Sequence, residues 1–129
     1  MPGFVSVRPG GAADAMAPDG SQVRPLAALK GGSFAHFTLA AGAVSDAVRH
    51  KSVEEIWWFV SGTGALWRSL GGHERIEAVK PGDCVTIPVG AAFQFRADWD
   101  APLVFVGVTM PPWPGADEAT GLTGMWPKR

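Results

Sequence analysis

From Val23 onward the chain alternates short apolar runs with breaks rich in Gly, Pro and Asp: SFAHFTLAAG, EEIWWFVSGTGALWRSLGG, RIEAVKPGD, CVTIPVG, FQFRADWD and APLVFVGVTMPPWPG. Such runs, punctuated by turn signals roughly every 8 to 12 residues, predict an all-β sandwich or barrel. No apolar period of 3.6 lasts long enough for a major helix, and only GADEATGL has the makings of one helical turn. Pro81-Gly82-Asp83 joins a fixed φ to a residue free to take positive φ, a tight turn into the strand CVTIP; Pro88-Val89-Gly90 closes that strand in the same way. The two-residue period then assigns faces. Glu55, Trp57 and Phe59 point one way and Glu54 the other; Phe93 and Phe95 share a face from which Gln94 turns away unless a bulge intervenes.

The segments outside the regular pattern divide the chain in three. Residues 1–22, rich in Gly, Ala, Pro and Asp without a period, read as an N-terminal arm able to lie across a neighbouring subunit. Residues 23–111 form the barrel. Residues 112–129 are a proline-rich tail that cannot enter a central ladder and wraps the outside, with Trp113 or Trp126 as its anchor.

A chain of 129 residues, 47% apolar and 18% charged, has the size of one globular domain. Its net charge of -1 lacks the basic footprint of a nucleic-acid or anionic-membrane binder. The N-terminus shows no basic leader ahead of an apolar core, and no segment approaches the roughly 18 apolar residues of a membrane span, so the expectation is a cytoplasmic protein. Cys84 is the sole cysteine: an internal disulfide and a thiolate zinc cluster are excluded, and a structural place in a strand is expected. With six Trp and no Tyr, chemistry that needs a phenolic acid is excluded as well.

Two spacings carry more. The first runs Gly42, five residues, Val48, one residue, His50, four residues, Glu55, six residues, Gly62. The second runs Gly82, five residues, Pro88, one residue, Gly90, two residues, Phe93, three residues, Ala97. Together they resemble the two motifs of the cupin superfamily, G-x5-H-x-H-x3,4-E-x6-G and G-x5-P-x-G-x2-H-x3-N, and the likeness extends over about Val23 to Pro111. This resemblance implies a cupin double-stranded β-helix, a jelly-roll barrel with its site inside. In metal-binding cupins the two His and the Glu of the first motif, with the His of the second, hold one divalent ion. Here His50 and Glu55 match, while Val48 and Phe93 stand where the other two ligands would be. Two ligands leave an ion mostly to water, so the cofactor expected is none or a weakly held Fe, Mn, Ni or Zn. His36 either faces inward as a third ligand or is a hydrogen-bonded or solvent-facing barrel histidine. His73 belongs to a solvated hairpin tip.

The interior so assembled has aromatic walls, Trp57, Phe59, Phe93 and Phe95, with His50 and Glu55 at one end; His36 and Gln94 complete the candidate substrate-binding set. The walls either enclose a cavity or fill the barrel. Without a metal, His50 can take or give a proton near neutral pH, and burial would raise the Glu55 pKa toward the same range. The leading expectation is an enzyme acting by proton transfer on a small, partly apolar or aromatic metabolite: an isomerase, cyclase or dehydratase-like activity. The resemblance carries two alternatives, a metal-dependent dioxygenase or isomerase using His50, Glu55 and His36, and a non-catalytic small-ligand binder. Arg24 or Arg68 would hold a substrate carboxylate if it faced the mouth. Exposed edges of a small jelly roll need cover, which predicts a homodimer through sheet packing or exchange of the arm.

Overall fold

The computed structural model describes residues 3–10 and 15–129. Eleven strands follow in order: β1 (Ala15–Met16), β2 (Gln22–Leu29), β3 (Gly32–Leu39), β4 (Ala47–His50), β5 (Glu54–Ser61), β6 (Gly64–Leu70), β7 (His73–Val79), β8 (Cys84–Ile87), β9 (Ala92–Ala97), β10 (Leu103–Met110) and β11 (Ala119–Leu122). They make two antiparallel sheets, one ordered β1-β2-β3-β10-β5-β8 and the other β11-β4-β9-β6-β7. This is the all-β jelly roll that the alternating runs and the two motif frames predict. Among the described residues no helix is long and apolar enough to cross a membrane.

Local chemistry explains the turns. Gly82 takes φ +95° and the Asp83 carboxylate accepts a hydrogen bond from the Lys80 N–H at 2.9 Å, closing the turn before β8. At the end of β5, Gly62 has φ +76°, and a Cβ there would lie 2.0 Å from the Pro102 carbonyl oxygen. Only glycine lets the chain pass so close.

Side-chain alternation builds the core. Along β5, Glu55, Trp57 and Phe59 are buried while Glu54, Ile56, Trp58 and Val60 face outward. In the other sheet β9 buries Phe93 and Phe95, and beside β5 in its own sheet β10 buries Leu103 and Phe105. The rings interlock: Trp57 stacks on Phe105 at 4.3 Å between centroids and meets Phe93 and Phe95 edge-on at 5.4 and 5.5 Å. Each such ring removed from water contributes on the order of 2 kcal/mol, and their mutual geometry adds to that.

Two boundaries differ from the sequence expectation. The stretch read as an arm already joins the sheet at β1, which pairs with β2, and its Asp19-Gly20-Ser21 turn is tucked in, with the Asp19 carbonyl accepting from the Asp46 N–H at 2.7 Å. Residues 1–2 and 11–14 of the expected arm lie outside the described residues. In the tail, GADEATGL makes a 3-10 turn only over Ala116–Glu118, then extends as β11 on the outer edge of β4. An edge strand needs one hydrogen-bonded neighbour, so a proline-flanked segment can occupy it.

Candidate functional site

A cavity of about 560 Å³ opens between the sheets. Most of its wall is apolar: Phe37, Val48, Trp57, Phe93 and Phe105 form the inner part, and Pro112 and Trp113 of the tail lie over one side. His50, at the end of β4, and Glu55, at the start of β5, supply polar groups from neighbouring positions of the wall, joined by Asp19, Ser33 and Thr109.

The His50–Glu55 pair is held by its surroundings. Glu55 lies opposite Thr109 on β10 and Ile87 on β8, which fixes its strand inside the sheet. The Trp57 indole N–H donates to Glu55 Oε1 at 2.5 Å, while Oε2 lies 3.2 Å from His50 Nδ1. That approach is off-line, so Nδ1 is buried without a hydrogen-bond partner. Space for the indole comes from Gly107: a Cβ at that position would sit 2.7 Å from Trp57 Cδ1. The His50 ring is clamped edge-on between Phe93 and Trp113, each at 5.2 Å.

Electrostatics follow from burial. Desolvation pushes the Glu55 carboxyl up to about 7; the Trp57 hydrogen bond works against this, and the charges of Asp19 and Glu118 add to it. Burial also lowers the His50 pKa, opposed by the field of Glu118. Asp19 is raised by burial in spite of hydrogen bonds from the Ser21 hydroxyl and N–H. For Glu118 burial is outweighed by hydrogen bonds from the Ser52 hydroxyl and the Ser52 and Val53 N–H groups, which hold its carboxyl low. Its carboxylate thereby pins the β4–β5 connection that carries both His50 and Glu55.

The structure brings His50, Glu55, Trp57 and Phe93 to one cavity. Phe59 and Phe95 lie deeper, fully buried beneath Trp57, where they fill the barrel instead of lining the space. His36 is not with them. Its neighbours on β3, Ala35 and Phe37, line the cavity, so the pleat turns His36 to the outer face, opposite Arg24 on β2, where burial and that guanidinium lower its pKa. Gln94 is likewise off the cavity: it is buried on the other face of β9, where its amide donates to the Ser45 and Trp126 carbonyls and accepts from the Trp126 N–H. The carboxylate clamps considered for the mouth are engaged elsewhere. Arg24 Nε donates to the Gly10 carbonyl, and Arg68 pairs with Glu77 and the Thr86 carbonyl.

Sequence reasoning missed Asp19, Thr109 and Glu118, whose positions depend on long-range pairing, and it gave Trp113 only an anchoring role. Trp113, between prolines, carried the strongest signal available.

The donor set does not fit a resident divalent ion. Val48 and Phe93 present hydrocarbon to the cavity beside His50 and Glu55, and among the described residues no group of three or more His, Cys, Asp or Glu is placed to hold a metal. The three-ligand site with His36 is excluded by the direction of β3.

Comparison with known proteins agrees with the architecture. The jelly roll resembles the capsular polysaccharide assembling protein CapF from Staphylococcus aureus, with a TM-score of 0.68 and 16% identity over 78% of this chain and 31% of that one. Oxalate decarboxylase from Bacillus subtilis, a protein with Mn(II) centres, superposes at a TM-score of 0.67 and 21% identity, over 79% of this chain and 28% of that one. The chain thus spans about three tenths of either protein's length. An uncharacterized protein with a double-stranded β-helix domain from Klebsiella pneumoniae matches along 92% of both chains, at a TM-score of 0.65 and 15% identity. No curated protein matches the sequence. The sequence profile of the Cupin domain matches residues 35–109, more than half of the chain, and the protein belongs to the cupin family.

Proposed function

We propose that this cupin is a proton-transfer enzyme acting on a small, largely apolar metabolite bound in the barrel cavity. The observation that carries the reading is the buried His50–Glu55 pair, 3.2 Å apart on the wall of an aromatic cavity, with the carboxyl pKa at about 7. Near neutral pH a useful fraction of Glu55 holds its proton, and His50, its pKa lowered, is a neutral imidazole. One group can therefore accept a substrate proton while the other gives one, without either first leaving its resting state. Trp57 occupies Oε1 and leaves Oε2 on the His50 side. The apolar walls exclude water that would level the two groups' acidities. An isomerisation, cyclisation or elimination next to a carbonyl needs a base to take a carbon-bound hydrogen and an acid to protonate oxygen or a second carbon.

The test is solvent exchange. A panel of small cyclic and aryl carbonyl compounds is incubated with the protein in deuterium oxide and followed by proton NMR. The wild type is expected to exchange or convert at least one compound, and His50→Ala and Glu55→Gln are each expected to lower that rate by about 100-fold or more while remaining folded. Near-normal rates in either variant would sink the assignment of the pair.

A further inference from the structure

The cavity's charge inventory narrows the ligand. Every ionisable side chain among the described lining residues is acidic or is the imidazole: Asp19, Glu55 and His50, with no Lys or Arg. Arg24 and Arg68, the guanidinium groups nearest to such a role in the sequence, are committed to outer-surface partners. The same lining carries the aromatic rings of Phe37, Trp57, Phe93, Phe105 and Trp113. Asp19 Oδ1 takes both Ser21 hydrogen bonds, at 2.9 and 2.6 Å. His50 is only 5% exposed, and its Nδ1 has no hydrogen-bond partner.

An anionic ligand would enter this space against two carboxyl groups and no compensating cation. A carboxylate or phosphate substrate is therefore disfavoured. A cation meets the opposite situation, because aromatic rings attract it through their quadrupoles and desolvated carboxylates pair with it. From the juxtaposition of Asp19 and Glu55 with this aromatic enclosure, we infer that the natural ligand is an organic cation: an amine or ammonium group on an apolar body. The inference rests on the cavity's being the small-molecule site proposed above, and it adds the ligand's charge. Binding such a cation favours ionised Glu55, whose carboxyl is otherwise held up by burial, so binding below about pH 8 releases protons to the buffer.

Three ligands of one skeleton separate charge from shape: 3-phenylpropylamine, 3-phenylpropanol and 3-phenylpropanoate, titrated calorimetrically at about pH 7 in buffers of different ionisation enthalpy. The amine is expected to bind at least about tenfold tighter than the alcohol, with the carboxylate weakest and with proton release seen for the amine alone. Glu55→Gln is expected to shrink the amine's advantage over the alcohol by about tenfold and to lower the proton release, and Asp19→Asn to shrink the advantage while the share of that release due to Glu55 remains. Carboxylate binding equal to or tighter than that of the amine would overturn the inference, as would the failure of all three to bind at millimolar concentration. Tight amine binding by a protein that exchanges no proton in the deuterium experiment would overturn the proposed catalysis and leave the ligand class standing.

Discussion

At the scale of single residues, the site is a contest between burial and charge. Glu55 is a carboxyl whose folded pKa, about 7, lies above its ordinary value of 4.5. The folded protein therefore binds this proton more tightly than the unfolded chain does, and the associated stability is complete below about pH 4.5 and is lost as pH rises through about 7. By linkage the loss is on the order of 3 kcal/mol. His50 works in the reverse sense. Its folded pKa is lowered from 6.5, so stability is lost as pH falls below that value and the unfolded chain takes up the proton. The two contributions run in opposite directions below pH 6.5, so there the His50 contribution offsets part of the decline due to Glu55. Glu55→Gln cannot ionise, and the expected outcome is a variant whose stability no longer declines between about pH 5 and pH 8, so that it gains on the wild type as pH rises. Thermal unfolding across that range checks it; parallel wild-type and variant curves would show that Glu55 has an ordinary pKa.

At the scale of elements, the two-residue period made β5 readable down to the direction of each side chain, because Glu55, Trp57 and Phe59 alternate with Glu54, Ile56 and Trp58 over an unbroken strand. The same rule placed Phe93 inward and Gln94 away from it. What stayed illegible was the purpose of burying Gln94, since its partners, Ser45 and Trp126, lie 49 and 32 residues away. His36 shows the complementary limit: a histidine in an apolar strand is ambiguous until the strand's neighbours fix which face is inside. Trp113 and β11 required the tail's path over the cavity and along β4, which no local period records. Gln94 is the clip for that path. Gln94→Ala leaves the Trp126 N–H and carbonyl without these partners, and the expected cost is about 2 to 4 kcal/mol, with earlier proteolysis of the segment after Gly115. Chemical denaturation with limited chymotrypsin digestion, which can cut after Leu122 and Met125, reads both effects; a loss under about 0.5 kcal/mol would mean that the tail is held by Trp126 packing alone.

At the scale of the whole molecule, the six-stranded sheet presents an unusual outer face. Ile56, Trp58 and Val60 of β5 remain 41, 50 and 46% exposed, and β10 sets Val108 beside Ile56 and Val106 beside Trp58. Phe34 of β3 extends the stripe across Val108. Between Glu54 and Ser61 this face of β5 carries no charge, so two copies related by a two-fold axis can bring it together without burying an unpaired ion. Other apolar partners would meet the stripe from one side only, whereas a second copy covers both exposed faces in one contact. The expected outcome is a homodimer at micromolar concentration by sedimentation velocity, with Trp58→Glu dissociating it at least about 100-fold more readily, since it places a charge at the centre of the contact. Because Trp58 points away from the cavity, the variant should keep the wild-type circular dichroism and the amine preference of the site. A wild type that sediments as a monomer at about 100 μM would instead leave the stripe without a self-partner, for an affinity weaker than that gives no working dimer.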